Sequence, residues 1–511
     1  MTHPILTCAE SAAFEESILG GDPGREWDAM NQVGQQLAHQ ILLDFNELRP
    51  FPRDPAILVL AGKGHNAGDA LLAAHQLLKA RPRSQVSLLA TAAPDQLRPN
   101  TRRAYDALAA EKACTPVQLD DIQGRQFDIS LDGLLGMQFK PPLRSPLDTL
   151  VPTLNRCDNI SFRAAVDLPS GLGDQSAEEP LRADFTYATG IAKTPLFFPE
   201  SLQWTGRVRY LDIGFFDPCA PDTHAGAHIL TDSVLDPLRG LRSPDCDKRT
   251  HGHLFVLGGS RTMPGALLMT VRAALKSGVG LVTAFAPESA TPHLAAAAPE
   301  AMWVPCPETP HGHLSLEGQY LLHERISKAT ALAIGPGMGD ERETHALLQV
   351  VLQKDSTLPV VLDADALRPE VIGSLNGPAV LTPHAGEMAR IVGTTTEEVT
   401  AETAWSHAAT FGAAHNFDHI VLLKGPHTYV TGGEHLEVTT FGGPVLARGG
   451  SGDLLTGLVG GLLAQGNTPL DAARRGAVWH GQAAEHLARS RGHTAVTAPQ
   501  LLNYLHEPLR P

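Results

Sequence analysis

The residues with the clearest chemical potential lie between Ala447 and Gly466, where the sequence reads A-R-G-G-S-G-D-L-L-T-G-L-V-G-G-L-L-A-Q-G. Leucine and valine recur there at helical spacing, which predicts a buried helix after the glycines. Glycines before a helix leave first-turn N–H groups open to an anion. Asp453 would lie in that turn, ionised and able to act as a base, which suits phosphoryl-group chemistry. A glycine-rich turn capped by an aspartate explains this stretch equally well.

A second glycine loop lies in the first half of the chain. The apolar run Ala56–Ala61 reads as a buried strand, and it leads through Gly62–Asp69 (G-K-G-H-N-A-G-D) into a helical pattern. Two later predicted strands end in Asp132 and Asp167. Because the carboxyl ends of parallel strands meet at one sheet edge, three polar loops favour a functional site over three independent helix caps.

The remaining pattern predicts the elements that must position these loops. In the first half we expect a helical pattern over 11–46, strands at 86–90, 127–131 and 164–166, and a helix across 95–112. In the second half, short apolar strands repeatedly end in loops at 335–339, 363–365, 382–387 and 424–428. This alternation of strand, loop and helix predicts a second α/β domain with a mostly parallel sheet.

Composition limits the class of protein. A chain of 511 residues should form two or three domains. Its formal net charge of −15 argues against nucleic-acid partners and against an anionic membrane surface. The six cysteines include no C-x-x-C pair, which is typical of reduced thiols, and no apolar run approaches the ~20 residues of a membrane span. We therefore expect a soluble, cytoplasmic protein.

The second half resembles a known enzyme family. The motifs H-L-F-V-L-G-G-S, G-P-G-M-G, L-D-A-D-A-L, T-P-H-A-G-E, L-L-K-G-P-H-T and G-G-S-G-D-L-L-T-G occur in order. Together they resemble the ADP/ATP-dependent NAD(P)H-hydrate dehydratases of the ribokinase-like superfamily, over residues 228–505. The resemblance implies a ribokinase-like α/β domain.

The first half, residues 1–220, resembles NAD(P)H-hydrate epimerase domains through its strand–G-x-G-x-N-x-G-D–helix element and its two later acidic loops. This resemblance implies a Rossmann-like three-layer α/β sandwich, joined by a linker at 221–227. The whole chain is thus similar to bifunctional enzymes of nicotinamide nucleotide repair, with the epimerase first. We also expect a homo-oligomer.

The resemblance implies a specific chemistry. Hydrated NADH or NADPH carries a hydroxyl at C6 of the reduced nicotinamide ring and cannot donate hydride. The dehydratase would phosphorylate this hydroxyl with ADP or ATP, aided by Mg²⁺, and then eliminate phosphate. The epimerase would convert the R hydrate into the S hydrate that the dehydratase accepts, and it would bind K⁺.

The resemblance also assigns site residues in the second half. Asp453 takes the position of the base that accepts the C6-hydroxyl proton. The positions for the phosphate donor and the transferring phosphoryl group are Lys424, Gly425, Pro426, His427, Thr428, Gly450, Ser451 and Gly452. Those that contact the hydrated substrate, besides Asp453, are Ala266, Gly337 and His384. Asp363, Asp365 and Glu387 are either ligands of Mg²⁺ and its waters or ordinary caps.

In the first half the resemblance assigns K⁺ to Asn66, Asp132 and Ser170, whose oxygen atoms suit a hard cation. The substrate positions are His65, Asn66, Ala67, Gly68, Asp69, Gly136, Met137, Gln138, Phe139, Lys140, Pro141, Pro142 and Asp167. Since epimerisation at C6 needs ring opening or loss and re-addition of water, an acid/base group is required, and Asp167 is the best candidate. Ala67 replaces a usual glycine, which costs about 1 kcal/mol if that position requires positive φ.

Two other functions stay open from the sequence. The ribokinase-like half suits a small-molecule kinase, for example of a vitamin precursor, with a non-catalytic nucleotide-binding N-terminal domain. The first half alternatively serves as a scaffolding module. The kinase hypothesis shares Asp453 with the repair hypothesis and differs in whether the phosphorylated product is released or undergoes elimination.

Overall fold

A computed structural model describes residues 2–175, 179–216, 225–354, 358–432 and 435–510. The chain divides into two compact units. The N-terminal unit comprises His3–Ile229 and Ala488–Gly492, and the C-terminal unit comprises Met1–Thr2, Leu230–Leu487 and His493–Pro511. Most of the predicted linker, residues 221–224, lies outside the described residues, as does Cys219, and the predicted domain boundaries stay predictions.

The N-terminal unit is built from alternating strands and helices. Its strands are β1 (Thr2–Leu6), β2 (Ala56–Ala61), β3 (Gln85–Ala90), β4 (Cys114–Pro116), β5 (Ile129–Gly133), β6 (Arg163–Val166), β7 (Phe185–Thr189), β8 (Ala192–Lys193), β9 (Arg207–Leu211) and β10 (Ala227–Leu230). Its helices are α1 (Cys8–Leu19), α2 (Pro23–Asp44), α3 (His65–Ala80), α4 (Pro99–Ala109), α5 (Leu119–Gln123), α6 (Leu147–Asn155) and α7 (Leu202–Thr205).

Seven of these strands form a sheet in the order β4-β3-β2-β5-β6-β7-β9, and every pairing within it is parallel. Strand β2 shows why both faces are covered. Ile57 and Val59 belong to a core shared with α2, α3 and α4, whereas Leu58 and Leu60 belong to a core shared with α5 and α6. The predicted three-layer sandwich is confirmed.

The C-terminal unit repeats the pattern. Its strands are β11 (His253–Leu257), β12 (Leu281–Pro287), β13 (Met302–Cys306), β14 (Ala331–Ile334), β15 (Val360–Leu362), β16 (Ala379–Leu381), β17 (His419–Leu423), β18 (Thr428–Thr431) and β19 (Leu436–Thr439). Its helices are α8 (Asp236–Arg239), α9 (Pro264–Lys276), α10 (Thr291–Ala297), α11 (Gly318–His323), α12 (Arg342–Lys354), α13 (Pro369–Ile372), α14 (Ala385–Val392), α15 (Ala401–His415), α16 (Ser451–Ala464) and α17 (Pro469–Arg491).

The strands of this unit follow the order β13-β12-β11-β14-β15-β16-β17-β18-β19. The pairings from β13 to β17 are parallel, and β18 and β19 extend the sheet antiparallel. Helices α12, α14 and α15 share a core with one face of this sheet. Helices α9 and α16 pack together, and α16 lies on β11, β14 and β15. The predicted mostly parallel second sheet is confirmed.

One predicted element is wrong in its extent. The helical pattern over 11–46 forms two helices, because Gly20 and Gly21 interrupt it with φ angles of +61° and +63°. Gly20 ends α1 in the left-handed conformation, which a glycine adopts without the steric cost of a side chain. Asp22 then caps α2 by accepting the backbone N–H groups of Gly24 and Arg25.

The structure also bears on two predictions from composition, the lack of a membrane-spanning segment and the reduced state of the cysteines. Within the described ranges, no helix combines the length and apolar character needed to cross a membrane. Each of the five described cysteines is a free thiol.

Candidate active sites

Helix α16 begins where the sequence pattern places it. Gly450 caps it with φ +94°, and a Cβ atom there would lie 2.5 Å from the Sδ atom of Met269. A residue with a side chain would be strained there by the positive φ and would have to push aside the end of the Met269 side chain. Asp453 lies in the first turn of α16, and the leucines that follow are buried.

Asp363, at the end of β15, is the centre of a buried hydrogen-bond network. Its side chain is 2% exposed, and its Oδ1 accepts hydrogen bonds from Lys424 Nζ (2.9 Å) and Thr382 Oγ1 (2.8 Å). Its Oδ2 accepts a 2.7 Å bond from Thr456 Oγ1, one turn after Asp453 on α16. Burial alone would raise the pKa of Asp363, but the charge of Lys424 and these three bonds hold it below its ordinary value.

Lys424 connects this network to the glycine loop. A Cβ atom on Gly452 would lie 3.3 Å from Lys424 Nζ and 3.7 Å from Asp363 Oδ2. Burial would lower the pKa of Lys424, but Asp363 and Glu387, the latter 3.8 Å away, raise it above its ordinary value. The site therefore holds a permanent positive charge beside the first turn of α16.

The same environment changes the pKa of Asp453. Burial, together with the negative charge of Asp363, raises the pKa of Asp453 to about 6, although Lys424 acts in the opposite direction. A carboxyl group with this pKa is ionised at neutral pH and more basic than an ordinary aspartate. It suits a proton acceptor.

Two of the predicted substrate positions lie against each other. A Cβ atom on Gly337, whose φ is +66°, would lie 2.9 Å from the Cβ of Ala266 and 2.5 Å from the carbonyl oxygen of Met263. Ala266 is in the first turns of α9, the helix whose Met269 contacts Gly450. The G-P-G-M-G loop and the glycine loop before α16 therefore border the same end of α9.

His384 serves as the N-cap of α14. Its Nδ1 accepts the backbone N–H groups of Gly386 (3.0 Å) and Glu387 (3.3 Å), while Glu387 Oε2 accepts the N–H of His384. Because Nδ1 is an acceptor, a neutral His384 carries its proton on Nε2. The side chain is 59% exposed, and Nε2 lies 3.5 Å from Oε1 of Glu387.

The predicted donor-binding segment forms the turn between β17 and β18. Gly425 and Pro426 are exposed, whereas His427 is buried and Thr428 begins β18. Burial lowers the pKa of His427 to about 4, so its imidazole is neutral. Ser451, the first residue of α16, is buried with its Oγ 3.5 Å from His480 Nε2.

The structure gives each of the three ambiguous carboxylates an internal partner. Asp363 binds Lys424, Thr382 and Thr456, Asp365 accepts the N–H of Gly339 (2.8 Å), and Glu387 completes the cap of α14. Among the described residues, no group of three or more His, Cys, Asp or Glu side chains has the spacing of a metal site. Glu387 is thus a helix cap, whereas Asp363 caps no helix with its side chain, and a role of these carboxylates in holding the waters of Mg²⁺ stays a prediction.

In the N-terminal unit, Asn66, Asp132 and Ser170 come together. The Asn66 amide donates to the carbonyl oxygens of Leu135 (2.8 Å) and Val166 (2.7 Å), which leaves its Oδ1 as an acceptor. Ser170 donates its hydroxyl to Asp132 Oδ1 (2.6 Å) and its N–H to Asp132 Oδ2 (2.8 Å). Burial raises the pKa of Asp132 to about 6, so a nearby cation would favour its ionised form.

Asp167 follows β6 with φ +66°, a conformation that is strained for a residue with a side chain. Its Oδ1 accepts hydrogen bonds from Lys193 Nζ (2.5 Å) and from the N–H and Oγ1 of Thr189 (both 3.2 Å). Lys193 is fully buried, and its ammonium also donates to Thr189 O (3.2 Å). Asp167 is thus held in one orientation as the partner of a buried cation.

The predicted loop His65–Asp69 forms the first turn of α3. Ala67 is helical and fully buried, so the expected cost of a left-handed alanine does not arise. A Cβ on Gly68 would lie 2.1 Å from Met30 Cε, so the end of the Met30 side chain packs directly against this turn. His65 is half-buried, with its Nε2 3.4 Å from Arg98 Nη1 and 3.6 Å from Glu26 Oε2.

The second predicted substrate segment, residues 136–142, begins beside the same turn. A Cβ atom on Gly136 would lie 3.4 Å from Asn66 Cγ. Met137 packs against the buried cluster that contains Leu168 and Leu172. Phe139 closes a turn onto the carbonyl of Gly136, Pro141 is partly exposed, and the remaining three residues, Gln138, Lys140 and Pro142, are exposed.

Sequence reasoning missed several residues at these sites. Lys193 stands alone in the apolar run G-I-A-K-T-P-L-F-F, a signal of a buried cation that needs a carboxylate. Thr456 follows Asp453 by three residues and so lies on the same face of α16. Thr382 and His480 carry no comparable signal.

Comparisons with known proteins match both halves. The family model of the NAD(P)H-hydrate dehydratases matches residues 254–507, and that of the YjeF-related protein N-terminus matches residues 28–195. The bifunctional NAD(P)H-hydrate repair enzyme Nnr of Moorella thermoacetica is 33% identical over 470 residues, 89% of this chain and 87% of that protein. The enzyme of the same name from Thermosynechococcus vestitus is 33% identical over 527 residues, 99% of this chain and 97% of that protein.

One solved structure covers the second half. It is an ADP/ATP-dependent NAD(P)H-hydrate dehydratase from Bacillus subtilis, co-crystallised with ATP/Mg²⁺, with 27% sequence identity and a TM-score of 0.47. The match covers 54% of this chain and 96% of that one. The full-length relatives show that this chain belongs to the family of bifunctional NAD(P)H-hydrate repair enzymes.

Proposed function

We propose that this chain repairs hydrated NADH and NADPH, using the C-terminal unit to dehydrate the S hydrate and the N-terminal unit to interconvert the R and S hydrates. The observation that carries the proposal is that Asp453, in the first turn of α16, lies within the electrostatic influence of Lys424, which is itself paired with Asp363. The carboxyl group, with its pKa raised to about 6, supplies a base, and the lysine supplies a fixed positive charge.

In the C-terminal unit, Asp453 accepts the proton of the C6 hydroxyl as the hydroxyl oxygen attacks the terminal phosphorus of ADP or ATP, and AMP or ADP leaves with the electron pair of the broken P–O bond. The N–H groups around Gly450–Gly452 and in the first turn of α16 hold the transferring phosphoryl group. Lys424 offsets its negative charge, and the turn Lys424–Thr428 contacts the nucleotide. Phosphate then leaves with the C6–O electron pair, and loss of a proton from C5 restores the C5–C6 double bond.

Mg²⁺ fits this site as a companion of the nucleotide. The carboxylates of Asp363, Asp365 and Glu387 accept hydrogen bonds from internal partners, so their proposed contact with the ion is through its bound water molecules. Proteins commonly bind Mg²⁺ through substrate phosphates, and the bound ion would neutralise the phosphate charge.

On the substrate side, Ala266 and Gly337 form a close-packed wall, and His384 offers its Nε2–H as a donor. Gly337 lets the G-P-G-M-G loop pack against the start of α9, since a side chain there would meet Met263. His384 would orient the carboxamide or the ribose through one hydrogen bond.

In the N-terminal unit, Asp167 is the base that acts on the C6 hydroxyl of the hydrate. Lys193 and Thr189 hold its carboxylate in one orientation by donating hydrogen bonds to Oδ1. The residues Asn66, Asp132 and Ser170 fit a potassium ion, because they present oxygen atoms only and because Asp132 is a buried carboxyl group that a cation would stabilise. The bound ion would fix the ends of three loops around the substrate.

The test is to supply hydrated NADH with ADP or ATP to the full-length protein and to follow the near-ultraviolet absorbance of reduced nicotinamide. Repair predicts that S hydrate recovers the band at once, and that R hydrate recovers it only as epimerisation proceeds. A phosphorylated product without recovery of the band would instead identify a kinase. No change with either nucleotide would refute the proposal.

A further inference from the structure

Asp69 is a buried carboxyl group that the proposed mechanism does not yet use. It lies on α3, one turn after Asn66, and is 7% exposed. Its Oδ1 is buried and has no hydrogen-bond partner among the described residues. Burying a carboxyl oxygen without a hydrogen-bond donor destabilises the folded state. Such a group therefore suggests a functional role.

Asp69 belongs to a cluster of charges drawn from four elements. The amide of Asn66 binds the carbonyl of Val166, which places this end of α3 beside the start of the Asp167 loop. Asp69 interacts electrostatically with Asp167, with Glu15 on α1 and with Lys193 on β8. The cluster therefore contains three carboxyl groups and one ammonium group.

These four groups cannot all be charged without leaving buried negative charge uncompensated. The ammonium of Lys193 is committed to Asp167, which also receives two bonds from Thr189. Asp69 has no such donor. Burial, reinforced by Asp167 and Glu15, raises the pKa of Asp69 well above its ordinary value, which favours its protonated form. A pair of carboxyl groups in such opposed environments supplies one acid and one base.

We propose that Asp69 is the acid that works with Asp167 in the epimerase reaction, an inference that rests on the function proposed above. Asp167 takes the proton of the C6 hydroxyl, whose O–H electrons form the aldehyde carbonyl. The C6–N1 bond breaks with its electron pair on N1, and N1 takes the proton of Asp69. Rotation about the C5–C6 bond presents the other face of the aldehyde. N1 then attacks C6, returns its proton to Asp69, and the new oxyanion recovers a proton from Asp167.

The first experiment is Asp69→Asn in the full chain, with R-to-S conversion followed chromatographically without nucleotide. Asparagine keeps the shape of the side chain but cannot donate the proton. We expect kcat to fall by roughly 10²–10³-fold with little change in KM. The alkaline limb of the wild-type pH profile, which reports loss of the Asp69 proton, should disappear. The infrared difference spectrum between wild type and variant should show the loss of one protonated-carboxyl band.

Glu15→Gln removes a neighbouring carboxyl group by the same type of substitution. It tests the proposal even if the Asp69→Asn variant fails to fold. Removing the charge of Glu15 lowers the pKa of Asp69, so the alkaline limb should persist and move to lower pH. A limb that disappears would identify Glu15 as the acid and overturn the proposal, as would a limb that does not move.

Two further outcomes separate this inference from the proposed function. If the wild type interconverts the hydrates and Asp69→Asn does so within threefold of it, only the role of Asp69 is refuted. If the wild type does not interconvert them at all, the epimerase function itself is wrong, and the inference fails with it.

Discussion

Substituting Asp363 by asparagine removes the charge that organises the C-terminal site. The neutral amide would be unable to balance Lys424, whose ammonium lies 2.9 Å from the present carboxylate and is largely buried. Breaking a buried ion pair by removing one partner costs about 3–5 kcal/mol. Thr456 would also lose its charged acceptor, so the start of α16 should open more readily.

The same substitution has a kinetic consequence whose sign follows from the structure. Asp363 raises the pKa of Asp453, which is about 6 in the wild type. Without that charge, and with Lys424 free to act on Asp453, the acid limb of the dehydratase pH profile should move below pH 6. Asp363 also raises the pKa of Lys424, so any alkaline limb due to this lysine should move to lower pH as well.

The assay is kcat/KM against pH for the S hydrate, combined with hydrogen exchange of the α16 amides to measure the local free energy of opening. Thr382→Val is the matched control, because it deletes one hydrogen bond to Asp363 but leaves the charge. It should cost about 0.5–1.5 kcal/mol and leave the acid limb in place. An acid limb of Asp363→Asn that stays at pH 6 or rises would refute the electrostatic account of Asp453.

Three further predictions concern other parts of the chain. Lys193→Met should slow epimerisation by roughly 10²-fold, since Asp167 loses the group that orients it, and wild-type rates would contradict this. Gly450→Ala should lower the free energy of unfolding by about 1–2 kcal/mol and slow dehydration, because the φ of Gly450 is +94°. Gly449→Ala is the control: its added Cβ has open space around it, so neither the melting temperature nor the dehydration rate should change. Burial would raise the pKa of Asp44, but Arg209 and Arg489 lower it from 3.8 to about 2. The ionised Asp44 therefore stabilises the fold above pH 4. About 2 kcal/mol should be lost in acid denaturation as the pH falls towards 2, and a flat profile there would exclude this contribution.

The sequence predicted those parts of the fold that depend on local pattern. The strand Ala56–Ala61 and the helix after Gly450 follow directly from apolar periodicity and glycine placement, and the structure has both. The division between α1 and α2 was missed, although Gly20 and Gly21 followed by Asp22 and Pro23 form a typical helix end, N-cap and first helical residue.

The sites were less predictable because they depend on contacts between distant residues. The Asp167–Lys193 pair spans 26 positions and the Asp363–Thr456 bond spans 93, and neither spacing has a sequence signature. The family resemblance, confirmed by the full-length relatives, predicted which loops contain the candidate site residues. The roles of the individual residues in those loops stay predictions.

The most direct test of the central claim is the activity of Asp453→Asn in the full-length protein, measured on separated S and R hydrates. Removing the base should lower kcat for nucleotide-dependent dehydration by several decades with the fold intact. Interconversion of the R and S hydrates, which uses the other unit, should continue at the wild-type rate. Dehydration within tenfold of the wild type would contradict the assignment of Asp453 as the base.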